Sequence, residues 1–455
     1  MADLQDELQA AGEAGELDTP PTTGTKGKSK PTPKPGPRLP AAEPEATADG
    51  TTGTAGPGTA ASGTGEPATA EGPAAGTAEL TWAEPGTAEF RTGEPGWAGF
   101  RTGEPGSAEA LTAEPGEAEP PDELAAAHSF LVEHPVADGY SGLPWVLRHL
   151  PWYDLELGEG GVDTDVPRMR KGHIGALFWS LHLPEGLTGE RAVGATLEQL
   201  DLVRTVVHAH PEGLRLVHSA GQTTDARNCG RVGVLLGPAG APALDDSLGI
   251  LRALHALGLK ILTLAGVSWA GEAGLTRFGE EVVREMNRIG VLADVSGAPE
   301  ATVRRTLAVS RSPVLCTRSA AHALRSHPAN LSDDLLAELG EAQGLCMVPL
   351  TAEQTGPSIP DVADHLDHVR KIAGPDCVGL SGTYDSGAAH PASLTDASCY
   401  PHLVVELMRR GWPADDLALL TWGNVQRVLR SADFTARAAQ DRREASTAKI
   451  TELDG

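Results

Sequence analysis

Residues 231–266 read RVGVLLGPAGAPALDDSLGILRALHALGLKILTLAG. The run at 231–236 (RVGVLL) is short and apolar, as a buried strand is, 247–258 (SLGILRALHALG) has apolar residues at helical spacing, and 260–265 (KILTLA) is apolar again. A strand, a helix and a second strand in succession make the two strands parallel, because the helix carries the chain back to the end where the first strand began. The same order continues in both directions. Strands are expected at 175–182, 290–295, 313–317, 344–349 and 376–380, with a further one just before Asp138, and helices near 195–209, 278–288, 299–309, 332–340 and 361–373. Ser332, followed by Asp333 and Asp334, has the composition of a helix start. A strand count approaching eight predicts an α/β fold of the closed (β/α)8 type rather than an open doubly wound sheet, and no GxGxxG follows any strand to support a dinucleotide site.

The first quarter of the 455 residues has a different texture. Much of the chain's 54 glycines and 35 prolines crowds there, in runs such as TKGKSKPTPKPGPR, with almost nothing to bury, so residues 1–125 are expected to be disordered. Within them the triplet Glu-Pro-Gly recurs at 84–86, 94–96, 104–106 and 114–116, a decapeptide repeat over 81–120 that reads as successive turns, with Trp82, Phe90, Trp97 and Phe100 as exposed aromatics. Repeat expansion without function is the plainer reading, and a binding array the sharper one. A barrel at 126–435 and a polar tail at 436–455 complete the expected organisation.

The formal net charge of -26 speaks against nucleic acid and anionic membrane as partners. No apolar run is long enough for a transmembrane segment, and the start MADLQDELQA lacks the order of a signal peptide, so the sequence as written is expected to stay in the cytoplasm. Five scattered cysteines without a CxxC pair read as buried thiols rather than a disulfide framework or a zinc knuckle.

Barrel enzymes hold their chemistry at the C-terminal ends of the strands. Those positions here read Asp138-Gly139-Tyr140-Ser141-Gly142, Gly237-Pro238-Ala239-Gly240, Gly266-Val267-Ser268, Ser296-Gly297-Ala298, Thr317-Arg318-Ser319 and Ser381-Gly382-Thr383-Tyr384-Asp385, which do not supply the several His and carboxylate ligands that metal-assisted hydrolysis needs.

Over roughly 290 residues, about the size of one barrel, the chain nevertheless resembles the membrane (renal) dipeptidases. The resemblance is carried in order by ADGYSGLPWVL, DVPRMRKGHIGALFWS, TLEQLDLV, DDSLGILRALHALGLKILTL, FGEEVVREMNRIGVLADV, VADHLDHVRKIAG and YPHLVVELMRRGW. It implies a metal-dependent hydrolase barrel with two zinc ions that cleaves dipeptides, paired as a homodimer. It also implies an extracellular, disulfide-linked and lipid-anchored protein, although the chain has Glu185 where a bridge cysteine would be needed. Matched motif by motif, the zinc-ligand positions are occupied by Tyr140, Gly142, Ala239, Gly297 and Arg318. The catalytic histidine falls on Gly266, the substrate arginine on Ala329, and the catalytic aspartate on Thr383, with Tyr384 and Asp385 after it. The expectation is therefore a catalytically inactive homologue, a pseudoenzyme that binds or scaffolds, with no cofactor. A zinc-dependent dipeptidase whose ligands lie elsewhere is the alternative.

Other constellations compete. Asp364-His365-Leu366-Asp367-His368 puts two histidines one turn apart, but apolar residues at 362, 366, 369 and 372 are expected to turn both toward solvent. His149, His173 and His182 lie near the first two strands and are candidates for the barrel mouth, with His322 held in reserve as a ligand. Cys316 beside Arg318 is weighed as a thiol of depressed pKa against a plain apolar filler, and Asp138 with Asp385 as a carboxylate pair. The candidate pocket is Asp138, Tyr140, Gly266, Arg318, Ala329, Thr383, Tyr384 and Asp385, emptied by small residues at 239, 266 and 297 and open to a small carboxylate ligand through Arg318.

Overall fold

The computed structural model describes residues 121–455, apart from 159, 182, 184 and 185. The repeats at 81–120 and the candidate His182 therefore lie outside the described residues. The strands are β1 (Val136–Ser141), β2 (Ile174–Leu181), β3 (Leu214–Leu216), β4 (Val232–Gly240), β5 (Ile261–Thr263), β6 (Ala270–Gly271), β7 (Gly274–Leu275), β8 (Leu292–Asp294), β9 (Leu315–Cys316), β10 (Leu345–Pro349) and β11 (Val378–Ser381). Eight of them, β1-β2-β4-β5-β8-β9-β10-β11, form a closed parallel barrel, because β11 pairs with β1 and β2 pairs with β4. The short β3 lies along the first residues of β4, and β5 takes over the same edge at Ala239 and Gly240. β6 and β7 form a small antiparallel hairpin in the loop that follows β5.

The sequence expectation of a (β/α)8 barrel holds. Alternation along the strands explains how it is filled. In β2, Leu177, Trp179 and Leu181 belong to the apolar layer between sheet and helices, whereas Ala176 and Phe178 belong to a second cluster with Ala137, Leu235, Ile261, Leu292, Leu315 and Met347. That inner cluster is completed by Val425, Val428, Leu429 and Ala432 of the long helix Asn424–Gln440, which the periodicity reading had not placed.

Several boundaries shift for local reasons. β4 runs on through the Gly-Pro-Ala-Gly stretch that looked like a loop, so Ala239 is a strand residue, buried and paired with Leu181 and Leu262. The helix expected at 195–209 begins at Gly189. Ser332 does cap its helix, accepting from the Leu335 N–H, and Ser358 with Asp361 forms a capping box that starts helix Ile359–Ala373 two residues earlier than expected. His365, expected on the solvated face, is buried, because it lies three residues after Val362 and four before Val369 and so shares their core-facing stripe.

Glu285 ties three segments together outside the barrel. Its fully buried carboxylate accepts from Arg252 at 3.0 Å and from Arg288 at 2.7 and 2.8 Å, joining helix Arg277–Ile289 to helix Leu248–Ala256, while Arg252 also donates to the Ser446 carbonyl. Burial opposes ionisation of Glu285, but the hydrogen bonds from Arg288 and Arg252 outweigh it and hold the pKa below its ordinary 4.5. A depressed carboxylate contributes stability above its unfolded pKa and loses it as pH falls through the folded one. Glu285→Ala should therefore cost about 3 kcal/mol at neutral pH by leaving two arginines unpaired, and the gap to the native protein should narrow below 4.5. Urea unfolding midpoints across that range check both; a gap that is small, or that does not depend on pH, contradicts this account.

Candidate functional site

At the C-terminal end of the barrel the chain's own polar groups are bound to one another. Asp138 in β1 is fully buried, and its carboxylate accepts from the Gly382 N–H at 2.7 Å, the Tyr140 N–H at 3.1 Å and the Tyr400 hydroxyl at 2.8 Å. Burial raises the Asp138 pKa from 3.8 to about 6, and the three donors hold it from rising further. Tyr384 packs edge-on to Tyr400 with ring centroids 6.2 Å apart and donates its hydroxyl to the Leu394 carbonyl. Both phenols are pushed well above their usual pKa, first by burial and then by the charge of Asp138.

The loop after β11 is laced onto β1. Thr383 N–H donates to the Tyr140 carbonyl at 3.1 Å, and Gly142 N–H to the Tyr384 carbonyl at 2.8 Å. Thr383 and Asp385 both take left-handed backbone angles, φ +57° and +56°, a conformation that non-glycine residues adopt at a cost of order 1 kcal/mol. Asp385 N–H donates to Asp163 at 3.0 Å while Asp163 N–H donates to Asp385 at 2.7 Å, and the Thr164 hydroxyl also donates to Asp385. Burial, then the neighbouring charge of Asp163, raises the pKa of Asp385. Asp163 and Thr164 precede a helix by one turn and carry no pattern that marks them in the sequence.

The far side of the mouth holds a second network that the sequence reading missed. Asp294 at the end of β8 accepts from the Thr263 hydroxyl at 2.6 Å, the Ser296 hydroxyl at 2.7 Å and the Thr317 N–H at 2.8 Å. The signal was available: Thr263 and Asp294 end strands β5 and β8, which are otherwise apolar, and Thr317 directly follows β9. Between the two networks the Arg318 guanidinium, half-buried, stacks over the Tyr140 ring at 4.4 Å. Gly266 and Gly297 are exposed, at φ +74° and +70°. Ala329 lies in the loop after β9, its N–H bonded to His327.

The other candidates separate. Asp138 and Asp385 do not act as a pair, since each is taken up by different donors. His173 precedes β2 at the opposite end of the barrel and bonds His128 at 2.8 Å, and His149 is exposed at the end of a surface helix. His365 accepts from the Ala321 N–H, whereas His368 bonds Asp333, so the two share no ligand. His322 is exposed and bonded to Ser326. Cys316 is buried with its thiol pushed well above the usual pKa by desolvation, so the depressed-pKa reading is overturned.

Among the described residues no three His, Cys, Asp or Glu side chains are grouped to hold an ion.

A model of the membrane dipeptidase family, peptidase family M19, matches residues 124–443. The chain belongs to that family. It is 36% identical over 332 residues to dipeptidase 3 of Rattus norvegicus, covering 68% of this chain and 67% of that protein. A dipeptidase of Aspergillus oryzae is 36% identical over 303 residues, covering 61% of this chain and 72% of its own length. A Rhodobacter sphaeroides metallo peptidase, solved with a phosphinate mimic of the dipeptide L-Ala-D-Ala, shares the fold with a TM-score of 0.60 at 22% identity, covering 66% of this chain and 99% of that one.

No helix among the described residues is long and apolar enough to cross a membrane.

Two outcomes follow for the mouth. A raised acid contributes stability below its unfolded pKa and loses it as pH rises through the folded one, so Asp138→Asn should gain on the native protein between pH 3.8 and about 6, levelling off near 3 kcal/mol on the order-of-magnitude conversion of pKa to free energy. Urea midpoints at intervals across that window measure it, and parallel curves contradict it. In Gly142→Ala the added methyl would overlap the Asp385 carbonyl oxygen, so the protein should lose about 1–3 kcal/mol by the same measurement; a neutral effect would mean that the loop after β11 moves freely.

Proposed function

We propose that this member of the dipeptidase family has given up hydrolysis and acts as a binding protein that recognises a small carboxylate-bearing ligand at the barrel mouth. The observation that carries the reading is the arrangement of Arg318 and Gly142. A guanidinium lies over Tyr140 where the family resemblance places a zinc histidine, and at Gly142, matched to a zinc aspartate, the space for any side chain is filled by the Asp385 carbonyl. A divalent ion needs anionic or imidazole donors around it, and a fixed cation in their place opposes it electrostatically. The carboxylates nearby support the same reading. Asp138 and Asp294 accept from the barrel's own N–H and hydroxyl groups, which leaves neither of these two carboxylates poised as a base toward a water.

Arg318 supplies what a carboxylate binds best, a planar donor fork already oriented by a ring. Gly266 and Gly297 are exposed and carry no side chain to fill the mouth, whereas Ala239 is sealed within β4 and adds no room. Dipeptides and acyl amino acids end in such a carboxylate, so a non-hydrolysing family member keeps the recognition half of the family's chemistry.

The test is made on the full chain. Zinc content after dialysis against zinc, together with dipeptide hydrolysis on the same sample, should give negligible metal and no turnover, with the dipeptide recovered intact. Stoichiometric zinc with hydrolysis would establish the alternative, an active metallodipeptidase. Dipeptide affinity by calorimetry should fall on the order of 10- to 100-fold in Arg318→Ala, the loss expected for a charge-assisted hydrogen bond; an unchanged affinity rejects the carboxylate site.

A further inference from the structure

The opposite end of the barrel holds a cleft of about 310 Å³ where basic side chains gather. Its lining includes Arg204, His218, His255 and Lys260, drawn from helix Gly189–Ala209, the segment after β3, helix Leu248–Ala256 and the start of β5, and among the described residues no carboxylate lines it. Four cationic or protonatable groups from four separate segments converge on one concavity of a chain whose net charge is -26. The geometry points to a binding site for a small tetrahedral oxyanion, the phosphoryl group of a phosphate or phosphate monoester, at this cleft.

The partners already present leave donors over. The Lys260 ammonium is buried and bonds Asp433 at 2.9 Å, using one of its three N–H donors. Arg204 donates through one nitrogen to the Leu257 carbonyl at 3.0 Å. The helix that ends beside the cleft would by itself disfavour an anion, since its carbonyls point that way. Those of Ala253, Leu254 and His255 are occupied by the N–H groups of Leu257, Leu259 and Gly258. His255 is bonded to the Leu259 carbonyl at 3.2 Å and His218 to the Gly258 carbonyl, so each ring has its second nitrogen left to meet a ligand. Both histidines are held below their ordinary pKa, first by desolvation of the part of each ring that packs against the protein, with the charge of Lys260 adding to it at each. Arg204 adds to the field at His218, and Arg288, itself clamped by Glu285, at His255, while Asp433 faces the cleft only through Lys260. A bound dianion reverses that balance and draws protons onto the imidazoles, which gives the site a signature beyond affinity.

Calorimetry on the full chain with sodium sulfate, inorganic phosphate and glycerol phosphate tests the assignment. Sulfate keeps one charge state across the range, so any pH dependence of its binding belongs to the protein. Sulfate should bind about tenfold more tightly at pH 6 than at pH 8 and take up protons as it binds, as histidine-linked binding does. Arg204→Ala and His218→Ala, both at exposed positions, should each weaken binding at least fivefold, and His218→Ala should reduce the proton uptake. Binding of glycerol phosphate as well as phosphate assigns the site to monoesters, and binding of the inorganic ions alone assigns it to free phosphate. No heat with any of the three, or binding that is unchanged in both folded variants, overturns the proposal.

Discussion

The barrel depends on how Asp138 closes it. β1 and β11 are the first and last strands of the ring, and their ladder is registered at Asp138 with Leu380 and again where Ser141 meets Tyr384. Asp138 reinforces that seam from the side, binding the Gly382 N–H of the strand's exit and the Tyr400 hydroxyl of the helix beyond. Gly382 has to be glycine there, since a side chain would strike both the Asp138 carboxylate and the Tyr384 ring. A buried carboxylate that accepts three hydrogen bonds is costly to form and costly to disturb, which makes it a device for fixing one register.

The same seam limits what the mouth can do. Lacing the loop after β11 onto β1 brings the Asp385 carbonyl against Gly142 and sets Asp385 against Asp163. Asp138 and Asp385 accept hydrogen bonds within this seam, and Arg318 is steered over Tyr140. At the other end Lys260, Arg204, His218 and His255 gather with Asp433 as the carboxylate bonded to Lys260. Basic groups at both ends of an acidic chain are a distribution that net charge alone conceals.

Strand and helix order was legible because apolar periodicity is a local property. Eight strands in parallel follow from it, and the family resemblance, spread over separate stretches, pointed to the same barrel. Ala239 shows where local reading fails: Gly-Pro-Ala-Gly has turn composition, yet β2 and β5 supply the neighbours that keep it extended. His365 was misjudged because its polarity outweighed its position, though it lies one helical turn from Val362 and Val369. His173 lies close in sequence to the mouth residues but at the wrong end of its strand.

The amino-acid sequence by itself determined the fold class and the family, since both are written in residue type and spacing along the chain. Only the tertiary structure decided which polar groups are already bound to partners. Thr164 reaches Asp385 across 221 positions and Tyr400 reaches Asp138 across 262, and such pairings follow from the closure of a ring that no local stretch of sequence encodes.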